Sequence, residues 1–157
     1  MRAKEGVLDR LNALLTAELT ATHQYLVQAE MCRQWGYERL YQQLHEYSRE
    51  ELEDSEHLIA HILYLEGTPD VQRLGEVQAG TSAHEQLQLD VAMEQRVVGV
   101  YAEAIAHCAE VGDFTTRRLL ENGVRGEEEQ IDWLETQLTT IAQIGLQNYL
   151  AQEMHGS

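Results

Sequence analysis

LNALLTAELTATHQYLVQA, residues 11 to 29, decides the fold. Together with Leu8 just upstream, Leu11, Leu15, Glu18, Thr22, Tyr25 and Ala29 recur in steps of three and four, the stripe that one face of an α-helix presents to a core. Glu18 occupies a stripe position where a leucine belongs. The same pattern returns three times downstream. Leu40, Leu44, Tyr47, Glu51, Asp54 and Leu58 form a second stripe. Leu87, Val91, Glu94, Val98, Tyr101 and Ile105 form a third. Leu120, Val124, Glu127, Gln130 or Ile131, Leu134 and Leu138 form the fourth.

Working outward from these stripes, the spacing predicts helices from about residue 5 to Trp35, from Tyr37 to Leu65, from just after Thr81 or Ser82 to Val111, and from Phe114 to Gln143. Gly36 and the pair Gly112 and Asp113 supply short stops. Ser82 or Thr81 is a candidate N-cap, with Glu85 placed to complete a capping box. Residues 66 to 81 hold Gly67, Gly75, Gly80 and Pro69, the only proline, and lack periodicity, so they form a long connection able to run the length of a bundle. After Gly145, residues Leu146 to about Met154 form a short fifth helix. Two hairpins joined by one long crossover describe an all-α, ferritin-like four-helix bundle in a single domain over residues 1–157. Gly99, Gly123 and Gly126 stand inside helices and call for close packing or a local bend.

Each long helix thus carries one glutamate in core register. Glu18 to Glu51 and Glu94 to Glu127 span the same interval of 33 residues, and a tyrosine, Tyr25 or Tyr101, follows the first glutamate of each half by two turns. The second glutamates open Glu-x-x-polar pairs, Glu51 with Asp54 and Glu127 with Gln130. Buried carboxylates without partners cost several kcal/mol each and repel one another, so this arrangement calls for cations. Hard oxygen donors on four facing helices suit two divalent first-row metals, whose four positive charges five carboxylates would offset.

The net charge of −16 argues against nucleic-acid partners and anionic membrane surfaces. No stretch is apolar enough to span a bilayer, and the amphipathic N-terminus lacks a signal peptide's apolar run, which leads us to expect a cytoplasmic protein. Cys32 and Cys108 stand far apart and form no CxxC pair, so they are expected as small core residues. The seven histidines, His155 among them, show no compact ligand spacing and are expected mostly at the surface.

LNxLLxxEL at 11 to 19, Gln24 and Tyr25, Trp35 and Gly36, ILYLEGTP at 62 to 69, IDWLE at 131 to 135 and GLQNYL at 145 to 150 resemble bacterioferritin along essentially the whole chain. The resemblance implies a hollow 24-subunit homo-oligomeric cage that oxidises ferrous iron at a di-iron site and stores it as mineral. It implies Glu18, Glu51, Glu94 and Glu127 as ferroxidase ligands, and Tyr25 and Trp133 as redox neighbours. The family's two histidine ligands are replaced by Asp54 and Gln130, and a tyrosine expected at position 58 is Leu58. Leu52 stands where the family's methionine binds haem b between subunits; with no donor atom there, bis-methionine haem is not expected. Met31 or a partner chain's methionine would be the alternative ligand. Glu46 and Glu50 replace a histidine and an aspartate that carry iron to the cavity. These departures leave two principal expectations: an iron-storing subunit with ferroxidase activity, or a catalytically weak structural subunit that coassembles with a second bacterioferritin subunit bearing catalysis or haem. A di-metal oxygenase or peroxidase on the same bundle, and a metal-free adaptor, complete the alternatives.

Overall fold

The computed structural model describes residues 1–154; His155 and the last two positions of the expected domain lie outside the described residues. Four long helices form the bundle: α1 (Val7–Trp35), α2 (Glu38–Tyr64), α3 (Ala83–Val111) and α4 (Phe114–Ile144), followed by the short α5 (Leu146–Glu153). The helices α1 and α2 pack as one hairpin and α3 and α4 as the other, and α1 lies against α3 across the bundle.

The hairpin turns are short because each first helix ends in a left-handed glycine, Gly36 at φ 90° and Gly112 at φ 76°. With Gly36 in that conformation, Tyr37 N–H reaches back to the Cys32 carbonyl at 2.9 Å and closes the helix end. The end of α2 is built differently. Glu66 takes the positive φ of 63°. Gly67 is required for a different reason, since a Cβ there would lie 2.5 Å from Leu8 Cδ2.

The crossover does run the length of α1. Asn12 Nδ2 donates to the Thr68 carbonyl and Asn12 Oδ1 accepts from Asp70 N–H. Further along, Gly75 N–H donates to Thr20 Oγ1, and Gln78 N–H donates to Gln24 Oε1 while its carbonyl accepts from Gln28 Nε2. One face of α1 therefore supplies, turn by turn, the partners that an irregular segment cannot supply for itself.

Ser82 caps α3 by accepting from Glu85 N–H at 3.2 Å. The return half of the expected capping box is not made, because the Glu85 carboxylate accepts from Thr81 Oγ1 instead. Asp113 caps α4 more firmly, with Oδ1 accepting from Thr116 N–H and Oδ2 from Thr116 Oγ1.

Leu11, Leu15, Leu40, Leu44, Ile62, Leu87, Leu120 and Leu134 are almost fully buried and form the apolar layers of the core. On α3 the buried stripe is rotated from the expected one: Val91, Val98 and Ile105 are only half-buried, whereas Asp90, Met93, Val97 and Ala104 face inward. On α1, Thr22 is likewise half-exposed and donates to the Glu18 carbonyl, while Gln24 and Gln28 are buried. Of Gln130 and Ile131, it is Gln130 that is buried. Close packing accounts for Gly123, which meets Tyr101, but nothing approaches within 4 Å of a Cβ built at Gly99 or Gly126. Cys32 and Cys108 are free and buried, and the Cys32 thiol donates to Gln86 Oε1. No described helix is long and apolar enough to cross a membrane.

Candidate metal centre

The core glutamates lie near the middle of their helices, so antiparallel packing brings them to one level. Glu18, Glu51, Glu94 and Glu127 are each 0 % exposed, in a layer where an apolar core would have leucines. One carboxylate oxygen from each of Glu18, Glu51, Asp54 and Glu127 falls within 4.8 Å of the others. Glu94 stands beside this group, close to Glu127, and its Oε1 accepts from the Tyr25 hydroxyl at 2.7 Å.

Both oxygens of Glu18, Glu51 and Glu127, and Oε2 of Glu94, are buried without a hydrogen-bond donor among the described residues. Ionised, the four carboxylates would face one another in a dry core. Burial first, and mutual repulsion second, push Glu18, Glu51 and Glu127 well above the usual carboxylate range, and burial also raises Glu94. Half-buried Asp54 is pushed up to about 6, again chiefly by burial. The raised values favour the neutral, protonated form of these carboxyls over an array of facing charges. Divalent cations would displace those protons and satisfy the orphaned oxygens at once, so the donor set fits hard metal ions.

Gln130 sits at the rim. Its Nε2 donates to Glu50 Oε2 at 3.0 Å, and its buried Oε1 has no partner. Anchoring the amide nitrogen leaves the oxygen as the free end of the side chain, a neutral donor atom. Glu50 is exposed, yet this bond ties it to the centre in a way that its position on a run of acidic residues does not reveal. Glu46 remains exposed.

Tyr25 is fully buried and touches the centre directly. Trp133 is half-buried and joins through a residue that had been read only as core: Tyr47 lies 5.5 Å from Tyr25 and packs edge-on to Trp133 at 5.6 Å, ring centre to ring centre. Leu58 is buried, whereas Leu52 is 46 % exposed and turned away from the core. Met31 is half-buried, and its sulfur accepts from Gln86 Nε2.

A second buried polar cluster adjoins the first and had no expectation attached to it. Asp90 Oδ1 accepts from Gln24 Nε2 at 2.9 Å, and burial pushes Asp90 up to about 8. Its position one turn before Glu94, with Gln24 and Gln28 likewise one turn apart on α1, was the available signal.

The class defined by this bundle and its carboxylate layer is also the one found by comparison. The ferritin family model, described as a ferritin-like domain, matches residues 8–144. The chain belongs to that family. It is 38 % identical over 155 residues to a bacterial ferritin of Pseudomonas aeruginosa, covering 98 % of this chain and 100 % of the relative. It is 39 % identical over 152 residues to a bacterioferritin of Mycobacterium leprae, covering 97 % and 96 %. A bacterioferritin of Rhodobacter capsulatus is 36 % identical over 149 residues, covering 95 % and 92 %.

Proposed function

We propose that this protein is an iron-storage and detoxification subunit of a cytoplasmic bacterioferritin-like cage, taking ferrous iron as substrate at the carboxylate layer and oxidising it there. The observation that carries this reading is the set of buried glutamate oxygens, on all four long helices, that no protein donor satisfies. Glu18, Glu51, Glu94 and Glu127 would hold two irons between them, with Asp54 and Gln130 as outer ligands on either side. Bound ferrous iron supplies the electrons and an oxidant such as dioxygen receives them.

The residues of the chain do the rest. Burial raises the proton affinity of these glutamates, so metal uptake would compete with protons for their oxygens. Tyr25 holds Glu94 through its hydroxyl and fixes which oxygen remains free. Leucine layers above and below exclude water from the protein side of the site. The tilted and edge-on contacts of Tyr25, Tyr47 and Trp133 offer a path for single electrons out of the layer.

Stopped-flow oxidation of added ferrous iron by the purified homo-oligomer tests this, beside Glu94→Ala and a protein-free blank. A fast wild type with a mutant at the blank rate is the expected result; three coincident traces contradict it. Two substitutions favour a second reading, in which the chain is a slow structural subunit beside a haem- or ferroxidase-bearing partner. Gln130 gives one neutral oxygen where a histidine stands in the family, and exposed Leu52 offers haem no ligand atom. Haem absorption of bis-methionine type in the pure homo-oligomer would contradict the haem part of either reading.

A further inference from the structure

Outside the carboxylate layer, α2 carries a second row of ligand-type side chains. The expectation that the histidines show no compact ligand spacing passes over one pair: His57 and His61 stand four residues apart, the only two of the seven that do. In a helix that interval stacks side chains on one face, the arrangement by which two imidazoles share one ion. The structure turns this face toward α4. His57, with Asp54, Leu119 and Asn122, lines a cavity of about 360 Å³, and His61, again with Leu119 and Asn122, lines another of about 530 Å³. Sharing those two residues of α4, the cavities run together as one groove between the helices.

The hydrogen bonds of His61 decide which of its nitrogens is free. Thr116 Oγ1 has a single hydrogen, which it donates to Asp113 Oδ2 at 2.6 Å. The same oxygen lies 2.8 Å from His61 Nε2 and must accept there, so Nε2 carries the ring hydrogen and Nδ1 keeps its lone pair. Tyr64 stacks on the ring at 5.7 Å and fixes its plane, and burial holds His61 below the usual imidazole range, in its neutral form. An imidazole tied through its second nitrogen to a carboxylate-bound hydroxyl is prepared in the way metal-ligating histidines are. One turn earlier, His57 is exposed and its ring has no hydrogen-bond partner among the described residues. Asn122 lines both cavities from α4, its amide likewise without a partner there.

We propose that His57 and His61 form a second metal site, in which a borderline divalent cation such as Fe²⁺, Zn²⁺ or Cu²⁺ is bound by His61 Nδ1, one nitrogen of His57 and the Asn122 amide oxygen, with water completing its shell. Neutral nitrogen donors favour these ions over Mg²⁺ and Ca²⁺. Arg118 also lines the His61 cavity, and its charge limits the groove to a single ion. The carboxylate layer is anionic and built from oxygen, whereas this site is neutral and built on nitrogen, so its occupancy does not depend on the layer. Because Asp54 lines the His57 cavity, an ion held here stands at the edge of that layer.

The test is a stepwise titration of the intact metal-free assembly with Cu²⁺, followed by electron paramagnetic resonance with detection of nitrogen couplings. Among first-row divalent ions copper binds such donors most tightly, and its spectrum reports them directly. The layer offers copper only oxygen and a lone surface histidine offers one nitrogen, so two imidazoles on one copper mark this site. Copper is added past the capacity of the layer, and one two-nitrogen copper per chain is expected. His57→Ala, at an exposed position that the fold does not need, and His61→Ala are each expected to abolish the two-nitrogen signal. Thr116→Val keeps both imidazoles but releases Nε2, and is expected to weaken this ion about tenfold. Glu94→Ala is expected to leave the signal unchanged. Absence of a two-nitrogen copper in the wild type, or its persistence in His57→Ala, overturns the proposal. A layer that binds no metal would show separately, as the loss of oxygen-ligated copper alone.

Discussion

The two hairpins contribute matched glutamates to one carboxylate layer, yet they are not equivalent. In the first, Glu51 is followed by Asp54, a short anionic side chain that lies within the cluster. In the second, Glu127 is followed by Gln130, neutral and anchored from outside by Glu50. The tyrosine of the first half, Tyr25, holds Glu94 across the bundle, whereas Tyr101 of the second half packs its hydroxyl end against Gly123. Two near-copies of one sequence pattern have thus produced a centre with an anionic end and a neutral end. On the proposed reading, two metal positions of unequal affinity are expected, because a carboxylate contributes charge to binding where an amide contributes only a dipole.

The largest expected effect tests what the halves share. Glu18→Ala and Glu94→Ala remove one carboxylate from each hairpin, and both are expected to reduce ferrous oxidation to the protein-free rate in stopped-flow traces. Survival of activity in either would show that one half suffices.

Next in size is the pH dependence of the apo fold. Asp90 rises from 3.8 to about 8 and Asp54 from 3.8 to about 6 on folding, mainly through burial, and the core glutamates move in the same direction. A carboxyl whose folded pKa exceeds its unfolded one binds its proton more tightly in the native state. Its stabilising contribution is complete below the unfolded value, is lost as pH rises through the folded value, and stays lost above it. The melting temperature of metal-free protein is therefore expected to fall between about pH 4 and about pH 8. A divalent metal should reverse the trend, with its largest increment at the alkaline end. A melting temperature that climbs across this window would contradict the buried-carboxylate account.

The asymmetry itself is sharpened by Gln130→His and Asp54→His. The first adds a stronger nitrogen donor at the neutral end and is expected to tighten the weaker ion by roughly tenfold in calorimetry. The second exchanges charge for a softer donor and should alter the tighter ion by less. Equal responses would mean that the two ends do not differ.

The smallest effect separates two glycines of the second hairpin. Gly99 is exposed with open space around its Cβ direction, so Gly99→Ala is expected to stabilise by about 1 kcal/mol, seen as a rise in melting temperature of about 2–4 °C. Gly123→Ala, blocked by Tyr101, is expected to lower it.

Most of this fold was legible because four long stripes and their glycine stops specify helix number, length and hairpin order with little dependence on tertiary detail. The crossover was legible only as a connection; that α1 pins it through Asn12, Thr20, Gln24 and Gln28 depends on side-chain pairings that periodicity does not encode. The glutamates stood out because a charge in core register has no local explanation. Their spatial convergence follows from mid-helix placement. What the pattern missed lay off the four stripes or was aromatic and ordinary: Asp90, Gln24, Gln28 and Gln86 are buried through pairings with one another, the crossover and Cys32, and Tyr47 reads as any core residue until Trp133 lies against it. The rotation of the α3 stripe has the same origin. Val91 and Val98 gave the better apolar pattern, but packing against α1 and α4 turned Asp90 and Val97 inward.

The central claim, that the buried carboxylate layer is a metal centre, is tested most directly by anaerobic calorimetric titration of the metal-free assembly with ferrous iron. The expected result is about two ions per chain, bound with unequal affinities, both weakened or lost in Glu94→Ala. A flat titration, or one identical in Glu94→Ala, would contradict it.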